Sequence, residues 1–493
     1  MTPRRIHFIG IGGSGMSGIA LTAHKRGMKV SGSDLKVSNY MQALLRAGID
    51  VRIGHDAANV SDPSIDVVVV STAIPRSNPE YAYALEHGLT IWPRARMLAY
   101  LGDGSDVLAV SGTHGKTTTS SMLATALMKL GSDPTFLIGG VVDAVNSTSH
   151  AGDGKYFVVE ADESDGSFVW LAPKLSIVTN IEADHLDHYE NLEEIKFAFR
   201  AFLDKLALDG AAIVCAESPG LPELARSSGK RVITYGLAKA SGAVVESDLV
   251  KSGISDETYA DMLENDAIAD VAPDVQCVVK GQRDFSVCFS DGESVDITLD
   301  VSPGVHNMLN ATAVMATLDY LGFNRKDAAR AISGFTGVRR RFDHVGEAGG
   351  IQVVDDYGHH PTEIAATIKA ARRLGYEHIH VLFQPHRYTR TQAFLGQFAS
   401  AFDGADSLTL MDIYSAGEKP LEGVTSAALL DRIQSHVGSP VSKITSCRED
   451  IPQAMADIAR PGDIILTMGA GDVTEMGPLI VAELERTFKA TQK

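Results

Sequence analysis

The stretch of this 493-residue chain best suited to chemistry is Gly112-Thr113-His114-Gly115-Lys116-Thr117-Thr118-Thr119, placed after an apolar run at residues 107–110. A helix-patterned segment, 117–130, follows it and is stopped by Gly131. Strand, glycine turn and helix in that order predict a phosphate-binding loop. Backbone amides and the positive helix end cradle the phosphates, Lys116 neutralises charge on the transferring group, and the Thr117 hydroxyl can ligate magnesium. The loop departs from G-x-x-x-x-G-K-[ST] because Val110 holds the first glycine position. The plainer alternative, a chance Gly-Lys-Thr at a helix start, leaves the flanking strand and helix unexplained.

Further along, the apolar run 156–159 delivers Glu160 and Asp162 to a strand end, the edge at which parallel sheets bind ligands. A carboxylate there suits magnesium. One strand later come Asp184, His185, Asp187 and His188; His185 is either a ligand of a second cation or a histidine satisfied within the fold. Near the start, Gly10-Ile-Gly12-Gly13-Ser14-Gly15 is a G-x-G-x-x-G after a strand-like run, with Asp34 near the end of the next one. This pattern fits a nicotinamide dinucleotide, another nucleotide-linked ligand, or a tight turn packing a helix on a sheet.

The elements that must position these residues fall into three series of strand-length apolar runs alternating with helical patterns, which predicts α/β units with largely parallel sheets. The first series contains runs at 6–9, 29–31 and 67–70 and ends at the turn cluster 102–104. A second runs from 107 to a helical segment at 307–321, and a third begins near Gly337, with strands expected at 351–354, 380–383, 407–411 and 464–467. Domains are therefore expected at 1–104, 105–336 and 337–493.

A hydrophobic content of 44% suits packed domains and excludes disorder. No run of 18 apolar residues predicts a membrane span, and glycines 10, 12, 13, 15 and 18 spoil a signal-peptide reading of the start. The net charge of −18 argues against a nucleic-acid-binding surface. Residues 1–104 differ, holding 11 lysines and arginines against 8 acidic residues, so the first domain could hold a small anion. The scattered Cys215, Cys277, Cys288 and Cys447 predict buried thiols in a reducing compartment. Between 243 and 275 the alternation weakens and acidic residues gather, as in a solvated surface insertion.

In combination these motifs resemble the ATP-dependent Mur ligase family of peptidoglycan synthesis. The resemblance rests on the loop at 112–119, the segment Glu160-Ala-Asp-Glu-Ser-Asp, Thr179-Asn-Ile-Glu-Ala-Asp-His-Leu-Asp-His-Tyr189 and His306-Asn-Met-Leu-Asn-Ala311. Gly337-Val-Arg-Arg-Arg-Phe-Asp343, Asp355-Asp-Tyr-Gly-His-His-Pro361 and Phe383-Gln-Pro-His-Arg-Tyr-Thr-Arg-Thr391 resemble its branch that joins the first amino acid, L-alanine, to UDP-N-acetylmuramate. It implies a Rossmann-like UDP-sugar domain, a central P-loop ATPase-like domain and a Rossmann-like C-terminal domain in a cytoplasmic enzyme using ATP and magnesium. It says nothing of oligomeric state.

The resemblance also implies roles. Gly12, Gly13, Ser14, Gly15 and Asp34, with Ser71, Thr72, Ala73 and Ile74, would hold the UDP-sugar rather than a dinucleotide. Gly112, Thr113, His114, Gly115, Lys116, Thr117 and Thr118 would hold ATP, with Asn307 and Asn310 at the adenine, Arg341 at the γ-phosphate end and Asp356 at the ribose. Thr117, Glu160 and His185 would bind the cations. Tyr357, His359, His386, Arg387 and Arg390 would face the muramic acid carboxylate and the alanine, with His359 and His360 the candidate bases and Lys116, Arg387 and Arg390 stabilising developing charge. Several relatives carry a carbamylated lysine after the histidine motif; here the aligned position is Arg200, which forms no carbamate, with Lys196 nearby. A dehydrogenase would leave the loop at 112–119 unexplained, and a non-catalytic nucleotide-binding regulator would need no carboxylate activation.

Overall fold

The computed structural model describes residues 3–38, 40–164, 166–184, 188–239, 271–445 and 447–491. The chain forms three sheets in sequence. In the first, β1 (Arg5–Ile9), β2 (Lys29–Asp34), β3 (Asp50–Ile53), β4 (Val67–Val70) and β5 (Ile91–Pro93) run parallel in the order β3-β2-β1-β4-β5. Strand order reverses at β1, so a crevice opens beyond its C-terminal end. The Gly-rich loop occupies that place. Gly10 turns there at φ +79°, and a Cβ on Gly12 would lie 2.6 Å from Met41.

The second sheet comprises β6 (Asp106–Ser111), β7 (Thr135–Val142), β8 (Ser147–His150), β9 (Tyr156–Glu160), β10 (Leu175–Val178), β11 (Ala211–Cys215), β12 (Arg231–Leu237), β13 (Val275–Val279), β14 (Asp284–Phe289) and β15 (Ser294–Thr298). Their order, β15-β14-β13-β12-β11-β10-β6-β9-β7-β8, puts β6 between β10 and β9. The phosphate loop, Glu160 and Thr179–Asn180 therefore leave neighbouring strands at one edge. The third sheet joins β16 (Asp343–Ala348), β17 (Ile351–Asp356), β18 (Ile379–Phe383), β19 (Ser407–Leu410), β20 (Val441–Ile444) and β21 (Ile464–Met468) in the order β16-β17-β21-β18-β19-β20.

Pairing is largely parallel, as the alternation predicts, but β8, the β13–β15 meander and β16 are antiparallel. β3 and β5, of four and three residues, are too short to show a period. Cys215, Cys277 and Cys288 are buried, whereas Cys447 is exposed, which corrects the expectation of four buried thiols: it stands just before the short helical turn Arg448–Asp450, where its thiol donates to the exposed Glu449 at 3.1 Å instead of packing in a core. Most of the acidic insertion lies outside the described residues. Among the described residues no helix is long and apolar enough to cross a membrane.

The first two sheets share one continuous core, because the helix Arg94–Gly102 buries Leu98 and Leu101 in the same cluster as Val107 and Phe157, while Gly18 of the helix Ser14–Lys25 sits against Leu137. The third sheet has separate cores on its two faces. It joins the second through the segment 337–342, where Val338 bridges Val142.

A buried polar hub ties the first domain together. Glu80, with 0% exposure, accepts Ser33 Oγ and Asn59 Nδ2 at 2.6 Å each, lies 3.4 Å from His7 Nε2 and accepts Asp56 N–H at 3.3 Å. Burial alone would raise its carboxyl, but the hydrogen bonds from His7, Asn59 and Ser33 prevail and hold it at about 2. A depressed carboxyl stabilises the fold above its unfolded value and loses that contribution as pH falls through the folded one. Glu80→Gln should destabilise the protein at pH 7 by about 1–3 kcal/mol in chemical denaturation, and the gap to wild type should narrow from pH 4.5 downward. A constant gap to pH 2 would contradict this.

Candidate active site

A cleft of about 1170 Å³ opens where the three sheets meet. Ser14 and Thr72 reach it from the first, Lys116, Thr117 and Glu160 from the second, and Tyr357, His359, His386, Arg387 and Arg390 from the third. Its floor is the phosphate loop. Gly112, at φ +130°, passes so close to β10 that a Cβ would lie 2.1 Å from Thr179 Oγ1, and Gly115, at φ +82°, turns the chain into the helix Lys116–Lys129. Neither position admits a side chain without strain.

Lys116 Nζ donates to Gly112 O at 2.7 Å, to Thr113 O at 3.2 Å and to both oxygens of Glu163 at 2.9 and 3.0 Å. Glu163 is 2% exposed; burial pushes its carboxyl up to about 7, against the pull of Lys116. This partner was missed in the sequence, where only its place three residues after Glu160 could have flagged it. Thr117 Oγ1 donates to Glu160 at 3.1 Å, and Glu160 Oε2 also accepts Gly139 N–H at 2.8 Å. A hydroxyl and a carboxylate this close fit the oxygen preference of magnesium. His185 lies outside the described residues. Arg200 pairs with Asp204 and Ser227, and Lys196 with Glu193; among the described residues neither lines the cleft.

Beside the loop, a second cavity of about 300 Å³ brings together Gly115, Thr118, Asn307, Asn310, Arg341 and Asp356, and is also lined by Cys215, Glu217 and Tyr235, which the motifs do not reveal. Asn310 donates to Asn307 Oδ1 at 3.1 Å, and Asn307 to Pro303 O at 3.0 Å, so the pair is locked on one helix face. Burial raises Asp356 to about 6 although Arg341 is near, and its oxygens accept Phe342 and Gly358 N–H.

His114 joins the domains. Its ring lies 3.5 Å from Glu182 and 3.3 Å from Glu363 at the start of the helix Pro361–Arg373. Burial opposes its charge, yet the two carboxylates hold it up at about 9. Around it, Thr362 donates to Glu182 at 3.0 Å, Arg341 lies 3.5 Å from Glu363 and Arg390 3.5 Å from Asp184. Arg340, Phe342 and Arg387 all have positive φ, backbone strain concentrated where the third domain meets the cleft. His359 Nδ1 faces Tyr357 O at 3.0 Å, whereas His360 Nδ1 accepts Thr362 N–H at 3.3 Å.

In the first domain, Asp34 Oδ2 accepts Gly12 N–H at 2.9 Å and Ser38 donates to Gly12 O at 2.7 Å, so Asp34 braces the Gly-rich loop from beneath. Gly13 caps the helix Ser14–Lys25, and Gly15 is in its first turn. Of residues 71–74, Thr72 reaches the cleft; Ile74 packs under Gly10 and donates its N–H to Ser71 O, with Ala73 inside that turn.

Three family profiles cover the chain in series: the Mur ligase family catalytic domain at 5–105, the Mur ligase middle domain at 110–318 and the Mur ligase glutamate ligase domain at 340–471. The chain is 42% identical over 480 residues to the UDP-N-acetylmuramate–L-alanine ligase of Geotalea daltonii, covering 97% of this chain and 98% of that one. With the same-named ligase of Rhizobium etli it shares 40% identity over 481 residues, 97% of each. The solved UDP-N-acetylmuramate-alanine ligase of Thermotoga maritima superposes with a TM-score of 0.75 at 28% identity, covering 98% of this chain and 99% of that one. A murein peptide ligase of Psychrobacter arcticus shares the fold, with a TM-score of 0.66 at 24% identity over 98% of both chains.

The His114 geometry is testable by histidine NMR titration. A histidine raised by folding contributes fully below its unfolded pKa and loses that contribution as pH rises through the folded one, so the Glu182–His114–Glu363 bridge should persist through neutrality and fade near pH 9. Glu363→Gln should move the His114 inflection down by at least one unit. An inflection at or below 6.5 in the wild type would contradict the bridge.

Proposed function

The chain belongs to the Mur ligase family, and we propose that it joins L-alanine to UDP-N-acetylmuramate, converting ATP to ADP and phosphate and yielding UDP-N-acetylmuramoyl-L-alanine for peptidoglycan synthesis. The observation that carries this reading is the convergence of a Gly-rich loop, a phosphate loop and an arginine–histidine cluster, one from each sheet, on a single cleft. The reading gives residues 1–104 the UDP-sugar, 105–336 the ATP and 337–493 the amino acid. ATP and UDP-sugars are made in the cytoplasm, and four free cysteines suit that reducing compartment.

A carboxylate does not condense with an amine at neutral pH. The lactyl carboxylate therefore attacks the γ-phosphorus of ATP, ADP leaves, and an acyl phosphate forms. The amine of L-alanine adds to the acyl carbon and phosphate departs as the amide forms. Lys116, already held among backbone carbonyls and Glu163, is placed to exchange those partners for phosphate oxygens. Thr117 and Glu160 would hold magnesium, which when bound offsets charge on the phosphates. Arg387 and Arg390 provide planar donors for the carboxylates and the tetrahedral oxyanion.

The two candidate bases differ in tautomer. His359 Nδ1 faces a carbonyl and must donate, leaving Nε2 with its lone pair; burial, with Arg390 and His386 nearby, keeps the ring neutral. Of the two, His359 alone offers a free lone pair for the proton of the nitrogen once bonded to carbon, although burial, which lowers the ring to about 3, makes it a weak base before substrates bind. His360 accepts at Nδ1, so its Nε2 carries the proton and cannot act as a base.

Phosphate release should require UDP-N-acetylmuramate and L-alanine together, and release without either would refute the reading. Lys116→Ala should abolish turnover while calorimetry shows UDP-sugar affinity unchanged; loss of both affinities in a folded variant would mean that the two sites are not separate. L-alanine should exceed L-alanyl-γ-D-glutamyl-meso-diaminopimelate as acceptor, and a higher kcat/KM for the tripeptide would reverse the choice of acceptor.

A further inference from the structure

Arg94 opens the helix Arg94–Gly102, and its guanidinium packs on the first turn of the helix Ser14–Lys25, where a Cβ added at Gly15 would lie 3.1 Å from Nη1. It borders both the main cleft and an adjoining cavity of about 100 Å³ shared with Ser14, Glu160 and Asp162. Glu160 is already taken by Thr117 and Gly139, and Asp162 lies 3.9 Å from Lys116. Among the described residues none forms a hydrogen bond or ion pair with the Arg94 guanidinium. Other arginines of the cleft differ: Arg340 lies 3.2 Å from Asp355, Arg341 3.5 Å from Glu363 and Arg390 3.5 Å from Asp184.

Arg94 shares a cavity with Glu160 and Asp162 but is paired with neither. It stands in the first turn of its own helix and against the first turn of another, so the partial positive charges of two helix ends surround a full positive charge. A bound anion would attract the guanidinium and both helix ends alike. We propose that Arg94 binds the diphosphate of the UDP-sugar, adding its guanidinium to the amides of the Gly-rich loop on which it packs. This rests on the reading of the first domain as the UDP-sugar site. The diphosphate is favoured over the lactyl carboxylate because Nη1 meets the Gly-rich loop itself, whereas the carboxylate must approach the γ-phosphoryl group at Lys116. Arginine suits the task, since its planar fork can engage two oxygens of one phosphate.

Calorimetry with UMP, UDP, UDP-N-acetylmuramate and ATP on wild type, Arg94→Ala and Arg94→Lys tests the assignment. Arg94→Ala should weaken UDP and UDP-N-acetylmuramate alike, by about ten- to a hundredfold, and erase most of the wild-type preference for UDP over UMP. ATP affinity should be unchanged, and KM for UDP-N-acetylmuramate should rise more than kcat falls. Arg94→Lys should lie between, because a point charge survives without the fork, and it covers the case in which the alanine variant does not fold. Unchanged UDP affinity in either folded variant overturns the proposal, as does a loss confined to UDP-N-acetylmuramate, which would assign Arg94 to the carboxylate. An equal loss of ATP affinity would mark a structural role and also overturn it. If the wild type itself binds neither UDP nor UDP-N-acetylmuramate, the reading of the first domain is what fails.

Discussion

The turn from β6 into the helix Lys116–Lys129 needs two residues at positive φ, with no space for a side chain at Gly112 and a tight approach to Asn310 at Gly115. Gly112 runs against Thr179 on β10, and Gly115 against Asn310. This tight passage directs Lys116 back over the loop carbonyls, brings the Thr117 hydroxyl to Glu160 on β9 and turns His114 outward to the third domain. Lys116, the Thr117–Glu160 pair and the contact with the third domain thus depend on one backbone path. A Cβ at Gly112 would displace all three together.

Packing and electrostatics divide the molecule differently. The first two sheets share a core, so the Gly-rich loop and the phosphate loop are fixed relative to one another. The third domain keeps its own cores and meets the second through polar and charged contacts: His114 with Glu363, Arg390 with Asp184, and Arg339 with Asn146 at 2.7 Å. Contacts of this kind, at the mouth of a cleft, can be exchanged for contacts to substrates at small cost, whereas a shared apolar core cannot. Such a joint suits a domain that must admit three substrates and then exclude water from an acyl phosphate.

Much of this was legible in the sequence because the chemistry is carried by contiguous motifs at strand ends. The loop at 112–119, Glu160 and the arginine–histidine cluster meet in the cleft because each follows a strand of a parallel sheet, and such sheets gather their C-terminal ends on one edge. The partners joining distant segments were not legible. Glu163 and Glu182 sit inside recognised motifs without a role of their own, while Glu217, Glu363 and Arg94 lie in stretches that look like ordinary charged surface; their meaning comes from what tertiary packing sets beside them. Asp34 shows the converse: its spacing suggests a ligand contact, but the fold turns it to the backbone of Gly12. The short strands β3 and β5 and the β13–β15 meander escaped because short or twisted edge elements have weak periodicity.

The central claim is that the three domains act together to turn a carboxylate into an acyl phosphate within one cleft. The most direct measurement uses UDP-N-acetylmuramate labelled with oxygen-18 in its lactyl carboxylate, with ATP and L-alanine, and mass analysis of the phosphate released. Attack of the carboxylate on the γ-phosphoryl group predicts one labelled oxygen in each phosphate and one retained in the amide. Phosphate without the label would contradict the account.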